Sequence, residues 1–296
     1  MHTEETANPV LQELIDQLSL EKIEEDLFRG QSQDLGWGTV FGGQVLGQAL
    51  SAAAQTVEDT PDDPRPVHSL HGYFLRPGKV DRPVVYHVDR IRNGGSFTTR
   101  RVVAIQDGKA IFNLAASFQR IEAGFDHQDE MPETPGPEGL PSELELARQV
   151  IDQIPLKMRK RAVSDRPIEI RPVNPVNPMH PGMLPPVRAT WYKTAGPLPD
   201  DPSLHRYLLA YASDFHFLTT AMQPHGVSWL TPGMQVASLD HAMWFHRPFR
   251  MDEWLLHTVE SPSASGARGL VRGQFYTMDG RLVASTVQEG LMRRRR

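Results

Sequence analysis

The side chains best placed to do chemistry lie between Leu204 and Pro248. Leu204, Leu208, Tyr211, Phe215, Leu218 and Met222 recur every three or four residues, which predicts one helix over Leu204 to Met222 with a single apolar stripe. At about 100° per residue, Asp214 falls roughly 80° from the centre of that stripe. A carboxylate there sits at the edge of the buried face. A strand is expected over Met234 to Leu239, and it delivers Ser238, Asp240 and His241 to one place. An acid on a largely buried helix beside a polar-ended strand is a pattern suited to hydrolysis. Taken singly, each residue has a plainer explanation: Asp214 as a boundary residue bonding locally, Ser238 as an ordinary strand serine.

Other hydrolytic chemistries are missing. The chain has no cysteine, which removes thiolate nucleophiles, disulfides and Cys-ligated metals. It has neither a G-x-S-x-G elbow nor an H-E-x-x-H helix. Asp240 and His241 are adjacent on a strand, so their side chains point to opposite faces and cannot readily share a proton. A structural role is expected for most of the 12 histidines, with His71 and His241 as the two candidates for substrate contact. Gly36 and Gly38 imitate a dinucleotide loop, but Phe41 stands where the third glycine is required. A net charge of -5 and a pI near 6.2 favour neither nucleic acid nor an anionic membrane. No apolar run is long enough to span a bilayer, and the acidic start MHTEETANPV does not read as a secretion signal. Arg293 to Arg296 are expected to be a solvated basic tail.

The surrounding elements form a repeated pattern. Residues 10 to 24 read as a short amphipathic helix and Ile23 to Arg29 as a strand. A helix rich in small residues, Gly43 to Val57, precedes strands over His68 to Leu75, Pro83 to Arg92, Ser96 to Gln106 and Lys109 to Gln119, with Asp107-Gly108 as a hairpin turn. Residues 121 to 200 hold 14 of the 25 prolines and suggest a crossing segment with a short helix near Ser142 to Gln153. A strand over Val187 to Lys193 follows. Then Ser69-Leu70 is matched by Ser238-Leu239, Arg76-Pro77 by Arg247-Pro248, Asp107-Gly108 by Asp279-Gly280 and Gln119 by Gln288, at offsets of 169 to 172 residues. The fold class expected is α+β: two helix-plus-antiparallel-sheet halves, over residues 10–122 and 187–293, joined by a Pro-rich linker over 123–186. A small helix wrapped by a curved sheet is the hotdog arrangement, and two halves side by side would share one long sheet with both helices on one face.

FGGQVLGQAL, HSLHGYFLRPG, YASDFHFLTTA, SLDHAMWFHRPF, SASGARGLVRG and ASTVQEG carry a resemblance that runs from about Leu11 to Arg293. The chain resembles the acyl-CoA thioesterase II family of the TesB type, the double-hotdog thioesterases of bacteria and, in relatives, of peroxisomes. The resemblance implies hydrolysis of acyl-CoA thioesters without a cofactor or metal. It also implies that a water is held by Asp214 in YASDF, Ser238 in ASLDH (where the family also uses Thr) and Gln288 in STVQEG. Backbone amides near Gly43 and Gln44 would polarise the carbonyl, and His71 and His241 complete the expected substrate contacts. A homo-oligomer is expected; the chain ends in arginines in place of the peroxisomal address, so that compartment is not implied and a cytoplasmic location is expected. Two rival functions share the pocket: an enoyl-thioester hydratase, which would need a histidine such as His216 beside the acid, and a non-catalytic acyl-CoA sensor. Subtracting 169 from Asp214 gives Val45, and no acid lies between Phe41 and Val57, so one competent site per chain is expected.

Overall fold

The structure, a computed structural model, describes residues 8–295. Residues 1–7 and Arg296 lie outside the described residues, and with them most of the acidic start and the end of the arginine tail. Helix α1 (Pro9–Leu18) is capped by Asn8, whose side chain accepts from the amides of Val10 and Leu11, and it buries Leu11, Leu14 and Leu18. It stops well short of residue 24. The strands β1 (Glu21–Glu24) and β2 (Leu27–Gly30) pair as a hairpin instead, turning at Asp26 with a left-handed φ of 58°.

Helix α2 (Gly42–Ala54) is buried from Gly43 through Ala53. Its lack of bulk allows this. The strands β3 (Val67–Phe74), β4 (Val84–Asn93), β5 (Phe97–Gln106) and β6 (Lys109–Gln119) curve around it. The Pro-rich segment carries more structure than its prolines suggest. It holds α3 (Glu143–Gln149), begun by a reciprocal Ser142–Glu145 capping box, then α4 (Leu156–Ala162), and β7 (Ile168–Pro172), a strand that joins the sheet. After β8 (Val187–Thr194) come α5 (Pro202–Ala212), α6 (Thr219–Met222), β9 (Met234–Ser238), β10 (Asp240–Phe245), β11 (Leu255–Ser265), β12 (Arg268–Thr277) and β13 (Leu282–Arg294).

The single helix expected over Leu204 to Met222 is therefore broken. Apolar spacing continues across the break, which is why periodicity does not reveal it. The hydroxyl of Ser213 donates to the Ala210 carbonyl at 2.9 Å, that of Thr219 donates to the His216 carbonyl, and His216 adopts a left-handed φ of 56°. Asp214 consequently sits just past the end of α5.

The strands form one sheet in the order β1-β2-β4-β5-β6-β3-β10-β13-β12-β11-β8-β7. The order is palindromic once β3 is equated with β10 and β6 with β13, so the duplication in the sequence is a duplication of topology. β9 and β10 both pair with β13, through Ser238↔Gly290 and Ala242↔Val287, and act as one strand interrupted at Leu239. β3 and β10 meet at the centre, where Gly72 pairs with His241. These residues are counterparts at the repeat offset of 169, so the pseudo-two-fold axis passes through their pair. On the helix face, α2 and α5 run antiparallel in close contact. A Cβ added at Gly43 would lie 2.2 Å from the Tyr211 carbonyl oxygen, and one at Gly47 would lie 3.1 Å from that of Tyr207. Two hotdogs thus share one sheet, as the repeats predict. The arginine tail is partly built in: Arg293 and Arg294 continue β13, and the Arg293 guanidinium donates to the Gln235 side chain at 2.8 and 3.0 Å.

Candidate active site

The antiparallel crossing of α2 and α5 brings the end of one helix to the start of the other. Phe41 offers no side-chain cap to α2, and the first amides of that helix have no intrahelical acceptor. Asp214 takes that place from the other half of the chain. The Gly43 amide donates to its carboxylate, and a Cβ at Gly42 would lie 2.5 Å from its Oδ2. Glycine at 42 is thus required for the carboxylate to approach the helix N-terminus, whose partial positive charge favours an anion.

Two further groups close around Asp214. Gln288, buried on β13, donates from Nε2 to Asp214 Oδ1 at 2.7 Å. The Ser238 hydroxyl, where β9 ends, also donates to the carboxylate. Asp214 retains a partly exposed edge, yet protein surrounds it densely. Burial pushes its pKa up to about 6, and the hydrogen bonds from Gln288, Gly43 and Ser238 only partly oppose that rise. A carboxylate near 6 is ionised at neutral pH and basic enough to take a proton from water.

The orientation of Gln288 is fixed from behind. His241 is fully buried on the helix side of β10, and burial depresses its pKa to about 3, so it is neutral. Its Nδ1 lies 3.3 Å from Gln288 Nε2 and its Nε2 lies 3.0 Å from Ser213 Oγ. The Ser213 hydroxyl already donates to Ala210 O, so it must accept from His241. That requires the Nε2–H tautomer and leaves Nδ1 as acceptor for Gln288. Both Gln288 amide protons are then committed, one to Asp214 and one to His241. Its Oε1 remains as an acceptor for water.

Asp214, Ser238, Gln288, Gly43 and His241 are therefore brought together. Gln44 and His71 are not. The Gln44 side chain is spent within its own half: it accepts from the Gln33 amide at 3.1 Å and donates to the Gln31 carbonyl at 3.0 Å, while its backbone amide bonds Phe41 O. His71 is exposed on the opposite face of the sheet, edge-on to Trp244 at 5.2 Å. It pairs with Ala242, one residue out of phase with His241, and strand alternation turns it away. Asp240 also faces outward, and its Oδ1 accepts from the Glu289 amide at 2.7 Å. His216 turns away from Asp214 and pairs with Glu143 of α3 at 2.9 Å. Burial alone would raise the Glu143 carboxyl, but His216, Arg188 and Arg166 outweigh it and hold it down at about 2. Sequence reasoning missed Gly42 and Ser213. The Gly-Gly pair opening α2 was a signal for close approach, whereas nothing in the sequence marks Ser213 as a partner of His241.

Among the described residues, no cluster of metal-ligating side chains is present and no helix is long and apolar enough to cross a membrane.

A family model described as "Acyl-CoA thioesterase" matches residues 158–291, and one described as "Acyl-CoA thioesterase N-terminal domain" matches residues 32–119. Acyl-CoA thioesterase 2 of Haemophilus influenzae is 45% identical, with 96% of this chain and 98% of that protein aligned. Acyl-coenzyme A thioesterase 8 of Homo sapiens is 42% identical over 93% of this chain and 87% of its own length. Among solved structures, an acyl-CoA thioesterase II from Mycobacterium marinum superposes with a TM-score of 0.74 at 41% identity, covering 96% of this chain and 98% of that one.

Proposed function

The chain belongs to the acyl-CoA thioesterase family and hydrolyses acyl-CoA thioesters, and from that premise we propose that Asp214, Ser238 and Gln288 hold the hydrolytic water. The observation that carries this reading is the Asp214 carboxylate, pushed up to about 6 and held between Gln288, Ser238 and the start of α2. Water donates to Asp214 and to Gln288 Oε1, and on its arrival the Ser238 hydroxyl turns from the carboxylate to donate to it, which aims the remaining lone pair at the thioester carbon. Asp214 takes the proton as the carbon–oxygen bond forms. The partial positive charge of the α2 N-terminus stabilises the oxyanion, while the Gly43 amide stays on Asp214. Collapse expels CoA as a thiolate, a good leaving group that needs no strong acid, and Asp214 returns its proton to solvent. His241 takes part as a positioning residue through Gln288.

Two hotdog halves, residues 10–122 and 187–293, supply α2 and the Asp214–Ser238–Gln288 set respectively, with residues 123–186 between them. The hydratase alternative is disfavoured because His216, the histidine it would need, is turned to Glu143. Exposed His71 and Tyr73 on the outer sheet face support the expected homo-oligomer, and the cytoplasm remains the expected compartment. Release of free thiol from an acyl-CoA, followed for the wild type and for Asp214→Asn, tests the assignment. Near-normal turnover in the variant would remove Asp214 from the mechanism.

A further inference from the structure

Phe215, Leu218 and Met222 keep helical spacing after α5, so a continuous helix competes with the turn that carries Asp214. The turn passes through His216 at a left-handed φ of 56°, a conformation disfavoured for most L-residues and held only where surrounding contacts fix it. Two contacts do so. The His216 Nε2 lies 2.9 and 3.0 Å from the two carboxylate oxygens of Glu143, the first residue of α3. The His216 carbonyl accepts from the Thr219 hydroxyl, which itself accepts from Arg188 of β8 at 3.2 Å. Arg188 also faces Glu143 at 3.8 Å, and Arg166 donates to the same carboxylate at 3.0 Å. The ring and the carbonyl of one turn residue are thus tethered to one largely buried pair, Glu143 and Arg188.

We propose that Glu143 is a positioning residue for the hydrolysis: by gripping His216 it keeps the turn from straightening and so holds the Asp214 carboxylate against the start of α2. This role rests on Asp214 holding the hydrolytic water, and it adds a residue that acts on Asp214 through the backbone. His216 follows Asp214 by two residues, and α5 and α6 anchor the turn at both ends. A change of φ at His216 is therefore passed to Asp214. A displacement of about 1 Å at a reacting group can lower a rate by about 100-fold. The Glu143 carboxylate has no separate task at the thioester, because His216, Arg166 and Arg188 occupy it. A carboxylate that only fastened α3 to the second half would support stability without a specific effect on kcat. The grip on His216 gives the segment between the halves a part in the chemistry: one of its side chains fixes the geometry of a carboxylate that it does not touch.

The test is a double-mutant cycle on turnover of hexanoyl-CoA, with thermal unfolding recorded for every variant. Glu143→Leu and Glu143→Gln are each made alone and in a His216→Gly background, since glycine adopts the left-handed turn without a tether. Glu143→Leu alone should lower kcat about tenfold with KM changed less than about twofold. Glu143→Gln, whose amide oxygen still accepts from His216, should lose less than about threefold. In the His216→Gly background, Glu143→Leu should lower kcat by less than about twofold. Thr219→Val removes the other tether at nearly constant volume and should show the same dependence on residue 216; it decides the question if Glu143→Leu does not fold. Equal losses in both backgrounds, or an undiminished kcat in Glu143→Leu, overturn the positioning role and leave Glu143 as a fastener of α3. A loss of about tenfold or more in His216→Gly alone also overturns it, because the ring would then do more than hold the backbone. Asp214→Asn in the same assay separates the premise. Near-normal turnover there would remove Asp214 from the mechanism, whereas a disabled Asp214→Asn beside unaffected Glu143 variants overturns the role of Glu143 alone.

Discussion

Asp214→Asn should lose most activity and, measured against wild type, gain stability as the pH is raised from 4 to 8. Burial holds the Asp214 carboxyl at about 6 against an ordinary 3.8. The folded protein therefore binds this proton more tightly than the unfolded chain does. The stability contributed by the group is fully present below about pH 3.8 and is lost as pH rises to about 6. At about 1.4 kcal/mol per pH unit, the full window corresponds to about 3 kcal/mol. Roughly 2 kcal/mol of that falls between pH 4 and pH 8, after allowance for the exposed edge of the side chain. Asparagine does not titrate. Its amide nitrogen would also face the Gly43 amide, a misfit of about 1–2 kcal/mol that is the same at both pH values. The misfit cancels when the variant's stability relative to wild type is compared between pH 8 and pH 4. That difference should favour the variant at pH 8 by about 2 kcal/mol, or roughly 4–8 °C in melting temperature. Urea unfolding of both proteins at both pH values measures it. A difference that does not change with pH would show that Asp214 titrates normally, and the argument for a raised carboxyl would fall. The kcat of the variant should be down by about 100-fold or more.

For wild type, kcat/KM should fall about tenfold per pH unit below about pH 6, following protonation of Asp214; a flat profile down to pH 5 would contradict the raised carboxyl. Ser238→Thr should stay active because the hydroxyl survives, whereas Ser238→Ala should lose about tenfold in kcat; equal rates for the two variants would remove the hydroxyl from the mechanism. His241→Phe frees one Gln288 amide proton, so kcat should drop about tenfold with little change in KM, as steady-state assays on one acyl-CoA would reveal. Titration with a slow, tight thioester analogue should yield one equivalent per chain, because buried Val45 holds the place of Asp214 in the first half. Half the activity surviving Asp214→Asn would refute that count.

Much of the architecture was legible because duplication writes itself twice. The offset near 169 predicted two halves, and the palindromic strand order and the Gly72–His241 pair obey it. The hairpin at Asp107-Gly108 was readable from turn chemistry, with β6 running from Lys109 to Gln119 as expected. What periodicity could not reveal was the break after Ala212, since Phe215, Leu218 and Met222 keep helical spacing across it and the bend depends on His216 and on two side-chain hydroxyls. Proline content obscured β7, an edge strand that tolerates the proline at its end. At the site, Asp214, Ser238 and Gln288 were found by motif. His241 was expected to contact substrate; its place behind Gln288 was not readable, because its partners, Ser213 and Gln288, lie 28 and 47 residues away in sequence. His71 illustrates the limit of composition: one step of strand register decides which face a histidine occupies.

The pair at the pseudo-two-fold axis bears on why the halves share one chain. In a symmetric dimer of separate, identical hotdogs, counterpart residues beside the axis must be the same. Glycine at both places would leave Gln288 and Ser213 without the imidazole between them. The first half has no space for a side chain at this place, since a Cβ at residue 72 would lie 2.5 Å from the Phe112 ring. Histidine opposite glycine is open only to two copies free to diverge, and covalent fusion grants that freedom. The same fusion allows valine to replace the acid in one half while the other keeps it. A protein rebuilt from two copies of the first half would lose activity, because that pairing has no acid.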